Sequence, residues 1–94
     1  MKIIHITKSK KKDKRFKVYL DNGDEYDFGD ANGECFIDHK DRVKRMNYWL
    51  RHYANKREKE LIDNFIPSPA LFSAYLLWNG SNLRDNIEWL NDKL

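Results

Sequence analysis

The stretch Arg15-Phe16-Lys17-Val18-Tyr19-Leu20-Asp21-Asn22-Gly23-Asp24-Glu25-Tyr26-Asp27-Phe28 decides the fold. Phe16, Val18 and Leu20 alternate with Lys17 and Tyr19, and Tyr26 and Phe28 alternate with Glu25 and Asp27. A period of two on either side of Asn22-Gly23 marks two strands of a hairpin. The register follows from the faces. A two-residue Asn22-Gly23 turn would set Leu20 opposite Glu25 and Val18 opposite Asp27, which brings carboxylates onto the apolar face. A three-residue loop, Asp21-Asn22-Gly23, with Gly23 left-handed, sets Val18 opposite Tyr26 and Phe16 opposite Phe28. It also sets Lys17 opposite Asp27 and Tyr19 opposite Glu25 on the outer face. A slip of one residue exchanges the faces, so the three-residue loop is expected. The outer Lys17–Asp27 pair would contribute about 0.2–1 kcal/mol.

Working outward, Lys2–Thr7 reads as a strand preceding the hairpin, so strands are expected at about 2–7, 15–20 and 24–28. Gly29–Ile37 reads as a loop. Asp38 is the expected N-cap of a helix over about 39–55, with Asp41 in its first turn. Val43, Met46, Leu50 and Tyr53, flanked by Trp49 and Ala54, form its expected core face. Asp41, Lys44, Arg45, Tyr48, Arg51, His52 and Asn55 form its expected outer face. Lys56–Ile66 leaves open a helical turn around Leu61–Phe65 ahead of Pro67. Ser68 caps, and Pro69 begins, a helix over about 69–79 that is apolar on most sides and expected at the centre of the core. Ser81 is the expected cap of a last helix, about 82–92, with a Leu83, Ile87, Leu90 and Leu94 stripe. The fold class is therefore α+β: an N-terminal antiparallel three-strand meander packed on about three C-terminal helices, in a single domain over 1–94.

Composition agrees with one core. Of 94 residues, 40% are hydrophobic and 35% charged, which argues against wholesale disorder. The longest apolar run, Ala70–Trp78, is interrupted by Ser73 and falls short of the roughly 20 residues that span a bilayer. Met1 leads straight into Lys2-Ile3-Ile4-His5-Ile6, unlike a secretory signal. Cys35 is the only cysteine, so no internal disulfide is expected and a reducing compartment is favoured. The net charge of +3 conceals alternating blocks. Residues 1–20 hold eight basic side chains and one acidic, and 21–38 hold seven acidic and no basic. Residues 39–57 hold seven basic and one acidic, and 58–94 three basic and six acidic. Such blocks either neutralise one another across the fold or match a patterned partner.

The candidate partner-binding residues lie in two basic patches and one aromatic. Lys8, Lys10, Lys11, Lys12, Lys14 and Arg15 crowd one turn, which could follow phosphates or an acidic protein surface, or simply stay solvated. Lys44, Arg45, Tyr48 and Arg51 interleave cations with an aromatic, as single-stranded nucleic acid requires, and a plain solvated helix face accounts for them too. Trp89 lies about 100–120° from its helix's apolar stripe and is either an interface anchor or core. No metal site is expected, since neither Cys-x-x-Cys nor His-x-x-x-His spacing occurs. Cys35 with His39 or His52 lacks the loop that a nucleophilic site needs, and the four glycines give no phosphate-binding pattern. No catalytic residue and no cofactor is expected, and no small-molecule substrate.

Several segments occur in a recognisable order: Lys2-Ile3-Ile4 through Ser9, Asn22-Gly23, Asp27-Phe28-Gly29, Ile37-Asp38-His39-Lys40-Asp41 with Arg51-His52, Leu76-Leu77-Trp78-Asn79, and Asp92-Lys93-Leu94. The order resembles a family of small, basic, functionally uncharacterised proteins of large nucleocytoplasmic DNA viruses, the giant viruses. Ile62–Leu71, with Pro67 and Pro69, departs from that family's pattern. The resemblance transfers no site residues. It implies a viral origin and a place in the virion, with host cytoplasm or viral factory during assembly. The expectation is a non-enzymatic virion structural protein, a minor capsid or capsid-associated component binding other virion proteins. The alternative is a packaged nucleic-acid-binding protein.

Overall fold

The computed structural model describes residues 1–94. Three antiparallel strands, β1 (Ile3–Lys8), β2 (Lys14–Leu20) and β3 (Glu25–Asp30), form one sheet in the order β1-β2-β3. Helices follow: α1 (Phe36–His39), α2 (Arg42–Tyr53), α3 (Lys56–Asp63), α4 (Pro69–Phe72) and α5 (Leu83–Lys93). Between α4 and α5, a π-helical turn, Ser73–Leu77, continues α4 directly. The α+β class is as the sequence implies, with α1 and α3 added where a loop and an open segment were read.

The β2–β3 register is the one the faces require. Phe16 faces Phe28, Val18 faces Tyr26, Lys17 faces Asp27 and Tyr19 faces Glu25, with Gly23 at φ +93° in the turn. An irregularity in β1 between Ile3 and His5 brings both Ile3 and Ile6 to the inner face. Against that face pack Phe72, Leu76 and Leu77 of the central helix and Leu90 of α5. A smaller cluster, Tyr48, Ile62 and Ala74, lies on the other side of the central helix. Ala70–Trp78 thus separates two cores, which explains why it is apolar all round.

Side-chain amides close the structure at two points. Asn86, buried in α5, accepts from Gly80 N–H through Oδ1 (2.8 Å) and donates through Nδ2 to Leu76 O (2.9 Å) and Gly80 O (3.0 Å). Asn91 accepts from Ile3 N–H (2.8 Å) and donates to Ile3 O (3.2 Å), joining α5 to β1.

Three expectations are corrected. The helix over 39–55 is broken: α1 ends at His39, Lys40 is left-handed (φ 56°), and α2 starts afresh. Asp41, rather than Asp38, caps α2, accepting from Val43 N–H (2.9 Å) and Lys44 N–H (3.2 Å). Asp38 is drawn elsewhere, to Arg15 and to the backbone of Cys35. Asn82, rather than Ser81, caps α5 through Asp85 N–H. The third correction concerns the α2 faces. Tyr48, expected outside, is buried at 6% exposure, while Val43, Met46 and Leu50, expected inside, are 61%, 55% and 64% exposed. Two stripes compete on this helix, and the inward one has large aromatic area and a partner for each polar end. Tyr48 stacks on Trp78, Trp49 Nε1 donates to Trp78 O (2.8 Å), and Arg45 covers the Phe36 ring and donates to Asn79 O (2.9 Å).

Candidate functional site: a polar cleft, a lysine loop and an uncovered helix face

The charge blocks meet in the fold. Lys11 reaches Asp27 (3.7 Å), Lys17 reaches Glu25 (2.9 Å), and Arg15 holds Asp38 with two bonds of 2.5 and 2.7 Å. The expected Lys17–Asp27 ion pair is replaced by the diagonal one, because the Asp27 carboxylate turns to accept from Ser9 Oγ at 2.5 Å. That bond, with the Lys11 and Lys17 charges, holds the Asp27 carboxyl below its ordinary range. The Ser9 hydroxyl also accepts from Lys11 N–H (3.0 Å), and Ser9 N–H donates to Arg15 O (3.0 Å), so the lysine loop is built as a turn. Within it Lys8, Lys10, Lys12 and Lys14 have no carboxylate within 4 Å. Arg15 is not part of this free charge.

A cleft of about 700 Å³ opens between the β2–β3 end of the sheet and the α2–α4 layer. Lys14, Arg15, Cys35, Arg51, His52 and Glu58 line it with Tyr48 and Trp78. Arg15 beside Asp38, with further bonds from Cys35 N–H and Sγ, holds that carboxyl well below the usual carboxylate range. Burial, then the neighbouring Asp38 carboxylate, pushes the Cys35 thiol up to about 12. The thiol is therefore protonated and inert at neutral pH, and neither histidine is its partner. His52 Nδ1 pairs with Glu58 (2.7 Å), and His39 Nδ1 accepts from Asp41 N–H (2.9 Å), closing the turn into α2. That acceptance leaves the proton on His39 Nε2, which is buried without a hydrogen-bond partner beside the Trp78 ring, 5.4 Å between centroids. No three His, Cys, Asp or Glu side chains stand close enough to hold a metal ion.

The other candidate residues divide between surface and interior. Lys44 and Arg51 are exposed, and Arg51 overhangs the Tyr48 ring (5.9 Å). Arg45 is engaged with Phe36 and Asn79, and Tyr48, buried, offers no free ring face: it stacks on Trp78 at 4.4 Å and packs against His52 at 4.1 Å. Burial pushes its hydroxyl up to about 12. Trp89 falls between its two readings, 37% exposed yet packed on Tyr75 (5.0 Å) and beneath Lys93 (5.5 Å). The Val43, Met46 and Leu50 face was not recognised as a site, because its helical spacing is the same signal that marks a core stripe.

Fold and surface together define an α+β protein with a lysine-rich hairpin loop and a helix that turns an aliphatic face to solvent. By sequence, residues 4–52 match the model of a family of unknown function, DUF5754, and the chain belongs to that family. The matched span takes in β1 from its second residue, β2, β3, α1 and nearly all of α2. No curated protein and no solved structure matches the chain. No helix is long and apolar enough to cross a membrane.

Proposed function

We propose that the protein is a small non-enzymatic structural component of giant-virus particles, a minor capsid or capsid-associated protein that binds other virion proteins. Its residence would be the virion, and the host cytoplasm or viral factory during assembly. The observation that carries the reading is the β1–β2 loop, where Lys8, Lys10, Lys12 and Lys14 lack carboxylate partners while Lys11, Arg15 and Lys17 have theirs. A compact group of unanswered cations suits an acidic protein surface. Trp89, partly exposed beside Lys93, adds an aromatic contact of the kind interfaces favour. The viral setting is supported by the ordered motifs from Lys2-Ile3-Ile4 to Asp92-Lys93-Leu94. The non-enzymatic reading is supported by a thiol kept protonated and by a histidine bound to Glu58 with no nucleophile hydrogen-bonded to it.

The same lysines favour nucleic acid as the second reading. Against it, the buried Tyr48 removes the stacking platform that α2 would have supplied. Two measurements separate these. Particles purified from infected cells should contain the chain, and changing Lys8, Lys10, Lys12 and Lys14 to Gln should reduce its incorporation without lowering its melting temperature. Absence of the chain from purified particles refutes the proposal. Titration of oligonucleotide binding against salt should give a slope near zero, and a slope of several units transfers the loop to phosphate.

A further inference from the structure

We infer that the solvent face of α2 is a docking site for an acidic amphipathic helix of a partner protein. This surface is separate from the lysine loop, and the inference stands whether or not the chain belongs to a virion.

Val43, Met46 and Leu50 stand at i, i+3 and i+7, on one stripe of a helix, and each is more than half exposed. The rest of the chain leaves them uncovered, because α2 is held to the body by its other face through Tyr48, Trp49 and Arg45. The stripe spans two turns, roughly 10 Å at 1.5 Å per residue, which is the length over which a second helix makes ridge-into-groove contact. Met46, unbranched and polarizable, sits at its middle, where an adaptable side chain suits a helical partner.

The charges around the stripe choose the occupant. α2 has four cationic side chains and no acidic one. Arg45 is spent internally, whereas Arg42, Lys44 and Arg51 are exposed and have no carboxylate within 4 Å. At about 100° per residue, Lys44 and Arg51 border one side of the stripe and Arg42 the other. A second copy meeting this face symmetrically would set these cations against their own counterparts, which is repulsive. A nucleic acid has no use for three aliphatic side chains. A bilayer would need an apolar face buried about 5–10 Å into its interface, which three side chains on a helix fixed to a folded body do not provide. A helix with apolar residues at i, i+3 or i+4 and i+7, and Glu or Asp on both flanks, meets every feature. The contact is small, so it belongs with weak, transient interfaces.

The test uses three probes on the full chain: a labelled 20-residue helical peptide with Leu on that spacing and Glu on its flanks, a scrambled peptide of the same composition, and anionic phospholipid vesicles. The amphipathic peptide should bind saturably, with chemical-shift changes at Val43, Met46 and Leu50. Binding should weaken at least about tenfold in Met46→Glu and in Leu50→Glu, and less in Arg51→Glu. Both apolar positions are exposed, so the variants should keep the parent melting temperature. Equal binding of the scrambled peptide reduces the face to non-specific charge and overturns the inference. Absence of peptide binding overturns it as well. So do vesicle binding in place of peptide binding, and self-association that Met46→Glu abolishes.

Discussion

The rings of Tyr48 and Trp78 lie 5° from parallel with centroids 4.4 Å apart, and this stack determines which face of α2 turns inward. Its hydroxyl lies 3.3 Å from Ser73 Oγ, so the buried tyrosine has no orphaned polar end. Trp78→Ala removes the ring against which the helix is seated, and should cost about 3–5 kcal/mol in urea unfolding. Met46→Ala and Leu50→Ala, on the opposite face, should each stay within about 0.5 kcal/mol of the parent. A large loss at Met46 or Leu50 would mean that the helix is seated the other way round.

The Arg15–Asp38 pair fixes the hairpin to α1, and its contribution should depend on pH. The Asp38 carboxyl is depressed in the folded state, chiefly by the Arg15 bonds. The unfolded chain then binds its proton first, so the stabilisation is complete above about pH 4 and is lost as pH falls through the lower folded value. Asp38→Asn should lower stability by about 1–2 kcal/mol at pH 7. The gap from the parent should narrow below about pH 4 and close only in strong acid. Urea midpoints of both proteins between pH 7 and pH 2 measure it.

At Gly80 any side chain would press on the buried Asn86 amide. A Cβ there would lie 2.7 Å from Asn86 Oδ1, the atom that accepts from Gly80 N–H. Gly80→Ala should destabilise by about 1–3 kcal/mol through that clash. Asn86→Ala should cost about 1–3 kcal/mol for each backbone group left buried and unpaired. Since the second change also removes the clashing oxygen, the double variant should lose less than the sum in thermal melts.

Cys35 should resist modification while the protein is folded. With the thiol pushed up to about 12 from an ordinary 9.0, its thiolate fraction at pH 8 falls about a thousandfold. Reaction with an aromatic disulfide reagent should then follow unfolding, and mild urea should accelerate it in step with the unfolded fraction. Rapid reaction in the native state would contradict the burial.

The parts legible in sequence are those where one signal had no rival. The register at Val18 and Tyr26 followed from face matching, and the Ser68-Pro69 start of α4 from a cap followed by the residue that suits the first turn. α2 was misjudged because two helical stripes fit it, one aliphatic and one aromatic with polar ends. Only the location of Trp78, 29 positions after Trp49, decides between them. The break at Lys40 was hidden for a related reason: Asp38 and Asp41 both suit an N-cap, and the choice depends on Arg15, 23 positions away from Asp38. The free lysines of the β1–β2 loop were visible as composition. Which of them keep their charge depended on where Asp27 turns.

The Asn91 amide, bonded to both backbone groups of Ile3, supplies one rung of a fourth strand at an edge of the sheet. During synthesis Ile3 is made 88 residues before that amide. At about 5–20 residues per second the rung stays open for roughly 4–18 s. For that interval Ile3 presents an unpaired N–H and C=O to any passing strand. The arrival of α5 then ends the exposure at Ile3, the one residue of that edge whose two backbone groups the asparagine pairs.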